Sequence, residues 1–167
     1  MLEIIVGIIV LILDQGSKLL CANWLTTLPN STYELIPSIF HLSYVVNRGA
    51  AFGMLQNARV FFLIMTIAVC ACIVFYLIKE HKKLHFLIRF SLALILAGAL
   101  GNFIDRLFLG YVRDMFSAVI INFAVFNVAD SAITVGTVLL FLDLLFFKGR
   151  YLLEPEKKKE DAEEKEN

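Results

Sequence analysis

Residues Gly110 to Gly136 read GYVRDMFSAVIINFAVFNVADSAITVG, and they set two aspartates, Asp114 and Asp130, where an ionised carboxylate is costly. Asp130 follows Phe126-Asn127-Val128-Ala129 and precedes a long apolar run. It is therefore expected in the first turn of a membrane helix, with Asn127 on the same face at i, i+3 spacing. Asp114 is expected just outside that helix. Two carboxylates brought together at low dielectric do not both ionise easily, and a pair sharing one proton is the arrangement aspartic proteases use to activate water.

The rest of the chain agrees with a membrane setting. Its 167 residues are 59% hydrophobic and 18% charged, with a mean hydropathy of +0.79, which separates it from soluble globular chains. Charge is uneven: Glu154 to Asn167 alone hold seven acids and four lysines. Residues 1–150 are thus expected to form one helical domain and 151–167 a charged, disordered cytoplasmic tail. Cys21, Cys70 and Cys72 give an odd count, two of them inside an apolar run, so no disulfide framework or metal knuckle is indicated. His41, His81 and His85 show no metal-ligand spacing, no metal or other cofactor is expected, and nothing suggests a nucleic-acid partner.

Four apolar stretches are long enough to cross a hydrocarbon core about 30 Å thick: Leu2 to Leu20, Val60 to Ile78, Phe86 to Phe108 and Asn127 to Phe147. The first lacks a basic flank and a small-residue cleavage site, so it reads as a helix and not as a cleaved signal. Asp14 and Lys18 lie one turn apart on it, where an ion pair is possible. Asn23 to Asn57 is the long polar connection. Within it Phe40, Leu42, Tyr44 and Val46 alternate with His41, Ser43 and Val45, the period of a half-buried strand. The fold class expected is an all-α membrane protein of four transmembrane helices, with a small extracytoplasmic β element lying on the membrane surface.

Basic residues fix the expected orientation. Lys79, Lys82 and Lys83 after the second span, and Lys148 and Arg150 after the fourth, place those ends and both termini in the cytoplasm. Asp14, Lys18, Asn102, Asp105, Arg106, Asp114, Asn127 and Asp130 then converge on the outer leaflet. Intramembrane ionisable groups are expensive and imply function, so the reading is an intramembrane aspartyl peptidase. Asp14 with Lys18 is expected to be a structural ion pair and Asp105 with Arg106 a supporting pair. Asp143 is expected to face water or Lys148. Two rivals stand beside this reading: a small proton-coupled transporter, against which the one-leaflet placement argues, and a metal-dependent lipid head-group enzyme holding Mg²⁺ on Asp14, Asp105, Asp114 and Asp130.

Five stretches in order resemble the lipoprotein signal peptidases, or signal peptidase II, over almost the whole chain apart from the tail. They are Asp14-Gln15-Gly16-Ser17-Lys18, then Asn47-Arg48-Gly49-Ala50-Ala51-Phe52, which fits N-x-G-x-A-F, then Gly101-Asn102-Phe103-Ile104-Asp105-Arg106, Val112-Arg113-Asp114 and Phe126-Asn127-Val128-Ala129-Asp130. The resemblance departs at Ala97, where glycine usually opens the third motif, and at Arg113 and Met115, where apolar Val and Phe are common; Arg113 sets a positive charge beside Asp114. It implies an enzyme of the bacterial cytoplasmic membrane that cuts prolipoproteins on the amino side of a diacylglyceryl cysteine, sensitive to globomycin. It further implies Asp114 and Asp130 as catalytic residues, Asn102 and Asn127 orienting them, and Asn47 with Gly49 contacting substrate backbone, with lipid chains left in the bilayer.

Overall fold

The computed structural model describes residues 1–50 and 54–146; Ala51 and Phe52 of the second motif, Lys148, Arg150 and the acidic tail lie outside the described residues. In chain order, α1 (Leu2–Leu25) leads through a 3-10 turn at Pro29–Ser31 to β1 (Thr32–Ile36) and β2 (Phe40–Asn47). Then follow α2 (Arg59–Glu80), α3 (Phe86–Phe108), β3 (Val112–Ala118) and α4 (Val128–Phe146). All four helices are long and apolar enough to cross a membrane.

The bundle is built around α3, on which α1, α2 and α4 all pack, whereas α1 and α2 hardly meet. Without a hydrophobic drive between helices in lipid, close packing comes from small residues. Here α3 supplies Ala93, Ala97, Gly98 and Gly101, all buried. A Cβ on Gly98 would run into the Ala129 carbonyl oxygen, and one on Gly136 would lie 2.7 Å from the Ser91 carbonyl oxygen. These two glycines therefore set how closely α3 and α4 cross, and the crossing determines how deep the start of α4 sits. The outward faces carry Ile5, Ile9, Ile12, Phe61, Ile64 and Phe141, all exposed to where lipid would be.

The β element is a three-stranded antiparallel sheet in the order β1-β2-β3. Its register sets Val45 opposite Asp114 and Asn47 opposite Val112, with a bulge between Leu42 and Val45. The third strand follows α3 after a turn through Gly110, whose φ of +84 suits glycine.

Three expectations are corrected. The first helix continues beyond Leu20 to Leu25, because Cys21 to Trp24 hold no helix breaker. Lys79 belongs to the last turn of α2 and does not follow it. Asp143 does not face water: it is 3% exposed, since it lies two turns from Gly136 on the face of α4 that meets α3.

Candidate active site

β3 and the first turn of α4 bring Asp114 and Asp130 together. On the strand, alternation sends Asp114 inward, where it is 1% exposed. On the helix, Asn127 and Asp130 form a reciprocal cap: the Asp130 backbone N–H donates to Asn127 Oδ1 at 2.9 Å, and the Asn127 backbone N–H donates to Asp130 Oδ2 at 3.1 Å. Satisfying the free N–H groups of a helix start is an ordinary role for Asn and Asp. Here the same contact fixes one carboxylate of the pair, leaving Oδ1 to accept from Asn102 Nδ2 at 2.7 Å.

Asn127 also reaches the other carboxylate, its Nδ2 donating to Asp114 Oδ1 at 2.6 Å and to Asn102 Oδ1 at 3.1 Å. Asn47 Nδ2 donates to Asp114 Oδ2 at 2.9 Å. Each aspartate thus accepts two hydrogen bonds, all from neutral amides, with no cation in direct contact. Two cations stand one residue back: Lys18 Nζ, fully buried, donates to Asn102 Oδ1 at 3.0 Å and pairs with Asp14 at 2.9 Å and Asp105 at 3.5 Å, and Arg106 lines the same cavity as the aspartates while donating to the Gly49 carbonyl. This separation has an electrostatic consequence. A cation touching either aspartate would lock it ionised, whereas amides orient it and leave the proton able to move. Burial, and after it the charge of Asp130, pushes the Asp114 carboxyl up to about 6, opposed by the hydrogen bonds from Asn47 and Asn127.

The structure brings all ten site residues read from the sequence into one network, though not always in the expected roles. Asp14 does pair with Lys18, and its other oxygen accepts the Ala129 backbone N–H at 2.9 Å. That contact ties α1 to the start of α4, and Gly101 makes room for it, since a Cβ there would lie 2.6 Å from Asp14 Oδ2. Asp105 is held by Arg113, through Nη2 to Oδ1 at 2.7 Å and Nε to Oδ2 at 3.1 Å. Arg106 instead donates to the Gly49 carbonyl at 3.0 Å and lies 4.7 Å from the Phe62 ring centre. Asn47 and Gly49 are tied to each other, Gly49 N–H donating to Asn47 Oδ1 at 2.9 Å. Their polar groups are thereby engaged within the protein.

Arg113 is turned away from Asp114, on the opposite side of β3, so the positive charge expected beside the aspartate instead neutralises Asp105. Asp105 in turn holds the guanidinium charged. Gln15 completes this tie: it accepts from Arg113 Nη2 at 2.9 Å and donates to Asp14 Oδ2 at 2.9 Å and the Gly101 carbonyl at 3.1 Å. Sequence reasoning quoted Gln15 but gave it no role; its position next to Asp14 was the available signal. Arg59 was missed entirely. It closes the end of α3, donating to the carbonyls of Arg106 and Leu107, both at 2.8 Å.

Two cavities open onto Asp114, and one of them onto Asp130 as well. The larger, about 660 Å³, runs down between α2, α3 and α4 past Thr66, Ala99, Ile133 and Val135, and reaches both aspartates. The smaller, about 450 Å³, lies against the sheet at Val45, Val46 and Arg48. They share Asn47, Asp114, Phe123, Ala124 and Val125. Among the described residues no group of three or more His, Cys, Asp or Glu side chains is arranged to hold a metal. Asp14 and Asp105 spend their oxygens on Lys18, Gln15, Arg113 and two backbone N–H groups, so they are not free to join Asp114 and Asp130 around an ion.

Residues 6–146 match the family model described as signal peptidase (SPase) II. The lipoprotein signal peptidase of Caldanaerobacter subterraneus is 45% identical over 148 residues, covering 89% of this chain and 98% of that one. The lipoprotein signal peptidase of Clostridioides difficile is 44% identical over 150 residues, covering 90% and 99%. A bacterial membrane enzyme solved by the in meso method at 2.3 Å resolution superposes with a TM-score of 0.79 at 34% identity, covering 92% of each chain.

Proposed function

The chain belongs to the signal peptidase II family of proteases, and on that premise we propose that it is an aspartic endopeptidase removing signal peptides from diacylglyceryl-modified bacterial prolipoproteins. The observation that carries the mechanism is Asn127, one residue whose side chain holds Asp114 and whose backbone N–H holds Asp130. A pair fixed to a common partner keeps the spacing that shared-proton chemistry needs.

In this reading Asp114, the deeply buried member with its carboxyl at about 6, holds the shared proton and donates it toward the scissile carbonyl oxygen. Asp130 takes a proton from a water that attacks the carbonyl carbon. The proton then passes to the leaving nitrogen as the tetrahedral intermediate collapses. The peptide enters along the sheet-side cavity and crosses the aspartates. The apolar walls at Ala99, Ile133 and Val135 let the signal sequence and the diacylglyceryl chains stay in the hydrocarbon. Lys79, Lys82 and Lys83 stand at the end of the bundle opposite the aspartates, so the positive-inside bias puts that end in the cytoplasm and the site in the outer leaflet of the cytoplasmic membrane.

The test is cleavage of a synthetic diacylglyceryl prolipoprotein peptide by purified enzyme. Cleavage on the amino side of the modified cysteine, blocked by globomycin and indifferent to a chelator, is expected. Loss of turnover on chelation, restored by Mg²⁺, would transfer the reading to metal-assisted hydrolysis.

A further inference from the structure

A third concavity, about 680 Å³, lies at the other end of the bundle from the aspartates. It exists because α1 and α2 each pack on α3 without closing on one another. One face of α1 lines it with Ile4, Ile8 and Leu11, α2 with Val74 and Ile78, and α3 with Leu96. Gly7 stands in the middle of the α1 face. On α3 and α4 the glycines at 98, 101 and 136 permit close contact, but a Cβ on Gly7, as on Gly16 of the same helix, would meet nothing within 4 Å. Gly7 therefore leaves width where no helix uses it.

The polar residues that line the mouth are Glu3 and His81, with basic residues gathered around them. Glu3 pairs there with Arg89 and, at 3.5 Å, with His81 Nε2. Lys79, Lys82, Lys83 and Arg89 give four cationic side chains around this end against two acids, Glu3 and Glu80. A groove this apolar, opening sideways into lipid and capped by net positive charge, matches an acyl chain joined to an anionic head group.

We propose that this groove is a binding site for one anionic phospholipid of the leaflet opposite the active site, its acyl chain lying between α1 and α2 and its phosphate at Arg89 and His81. The bound lipid fills the space that α1 and α2 leave open and holds α1 in place on α3. Because α1 carries Asp14 and Lys18, occupancy also steadies the framework behind the aspartates.

The test uses the full chain reconstituted in vesicles of equal phosphatidylglycerol and phosphatidylcholine, extracted in mild detergent and weighed by native mass spectrometry. One phosphatidylglycerol per chain should be retained in preference to phosphatidylcholine. Gly7→Phe, which fills the groove without touching the backbone, should lower retention roughly tenfold, equivalent to about 1.4 kcal/mol. Arg89→Gln should abolish the head-group preference. Should that variant fold poorly, Glu3→Gln provides a test of opposite sign, raising the preference by removing the competing carboxylate. Retention unchanged in Gly7→Phe, equal retention of the two lipids by the unmodified chain, or a dimer mass with no lipid would each overturn the proposal. None of these outcomes depends on prolipoprotein cleavage, so the lipid site and the peptidase reading fail separately.

Discussion

Replacing Asn47 by Ala should move the upper limb of the pH–rate profile to higher pH. Asn47 donates to Asp114 Oδ2 at 2.9 Å and stabilises the ionised form, opposing the burial and the Asp130 charge that raise the carboxyl to about 6. If Asp114 must be protonated to act, activity falls as pH rises through about 6, when both carboxyls are ionised. A hydrogen bond to a charged group is worth about 1.5–3 kcal/mol, and one pKa unit corresponds to about 1.4 kcal/mol, so full loss of the bond would shift the limb by about 1–2 units. The sheet-side cavity adjoins both residues, and water entering it would restore part of the bond, leaving an expected shift of about one unit upward. The assay is kcat/KM for a fluorogenic lipopeptide between pH 4 and 9, since kcat/KM reports the free enzyme. In kcat the same limb should stand higher in both proteins, because bound substrate excludes water from Asp114. A limb that stays put in Asn47→Ala, or moves to lower pH, would refute the assignment of the proton to Asp114.

Asp114→Asn and Asp130→Asn should each abolish cleavage, and the double variant should be little worse than either, because the two act as a unit; single-turnover assays of folded protein decide this. Thermal stability should fall as pH rises from about 4 to above 6, because Asp114 takes up its proton more readily folded than unfolded. Asp114→Asn should flatten that slope in a melting series across pH. Lys18→Met would leave Asp14 and Asp105 buried without their shared cation, a loss of about 3–5 kcal/mol that should appear as greatly reduced yield of folded protein. Gly101→Ala should cost about 1–3 kcal/mol, read as a lowered melting midpoint, since the new methyl meets Asp14 and Ala129.

The spans were legible because lipid imposes the pattern directly: α3 begins and ends where its apolar run does, at Phe86 and Phe108. β2 was legible as well, from its alternation. β3 was not, because Val112, Asp114 and Met115 are all buried, so buried side chains fall on both of its faces, while the Phe126 segment pairs along its edge, its carbonyl accepting from the Met115 and Phe116 backbone N–H groups. A strand covered on both faces shows no two-residue period. The same blindness explains Arg113. Its position beside Asp114 in sequence suggested a charge beside the aspartate in space, whereas on a strand consecutive side chains point to opposite faces.

What the sequence could not show at all is how the aspartates are kept from their cations. Seven charged side chains lie within the network: Asp14, Lys18, Asp105 and Arg113 pair among themselves, Arg106 donates to the Gly49 carbonyl, and Asp114 and Asp130 are left with amides as their hydrogen-bond partners. The first four join α1, α3 and β3 into a neutral frame, and Asn102 carries the influence of Lys18 to Asp130 through one intervening amide. Positive charge near enough to make two buried carboxyls tolerable, yet held off from direct contact, keeps one proton on the pair. Exchanging Asn102 for Asp would break that separation by giving Lys18 a third carboxylate and leaving Asp130 Oδ1 without its donor. Such a variant should lose cleavage while keeping Asp14 paired, a result that labelling Asp130 with a carboxyl-specific reagent in folded protein can distinguish from unfolding. Retained cleavage in Asn102→Asp would mean the amide screen is dispensable and the proton is held by some other means.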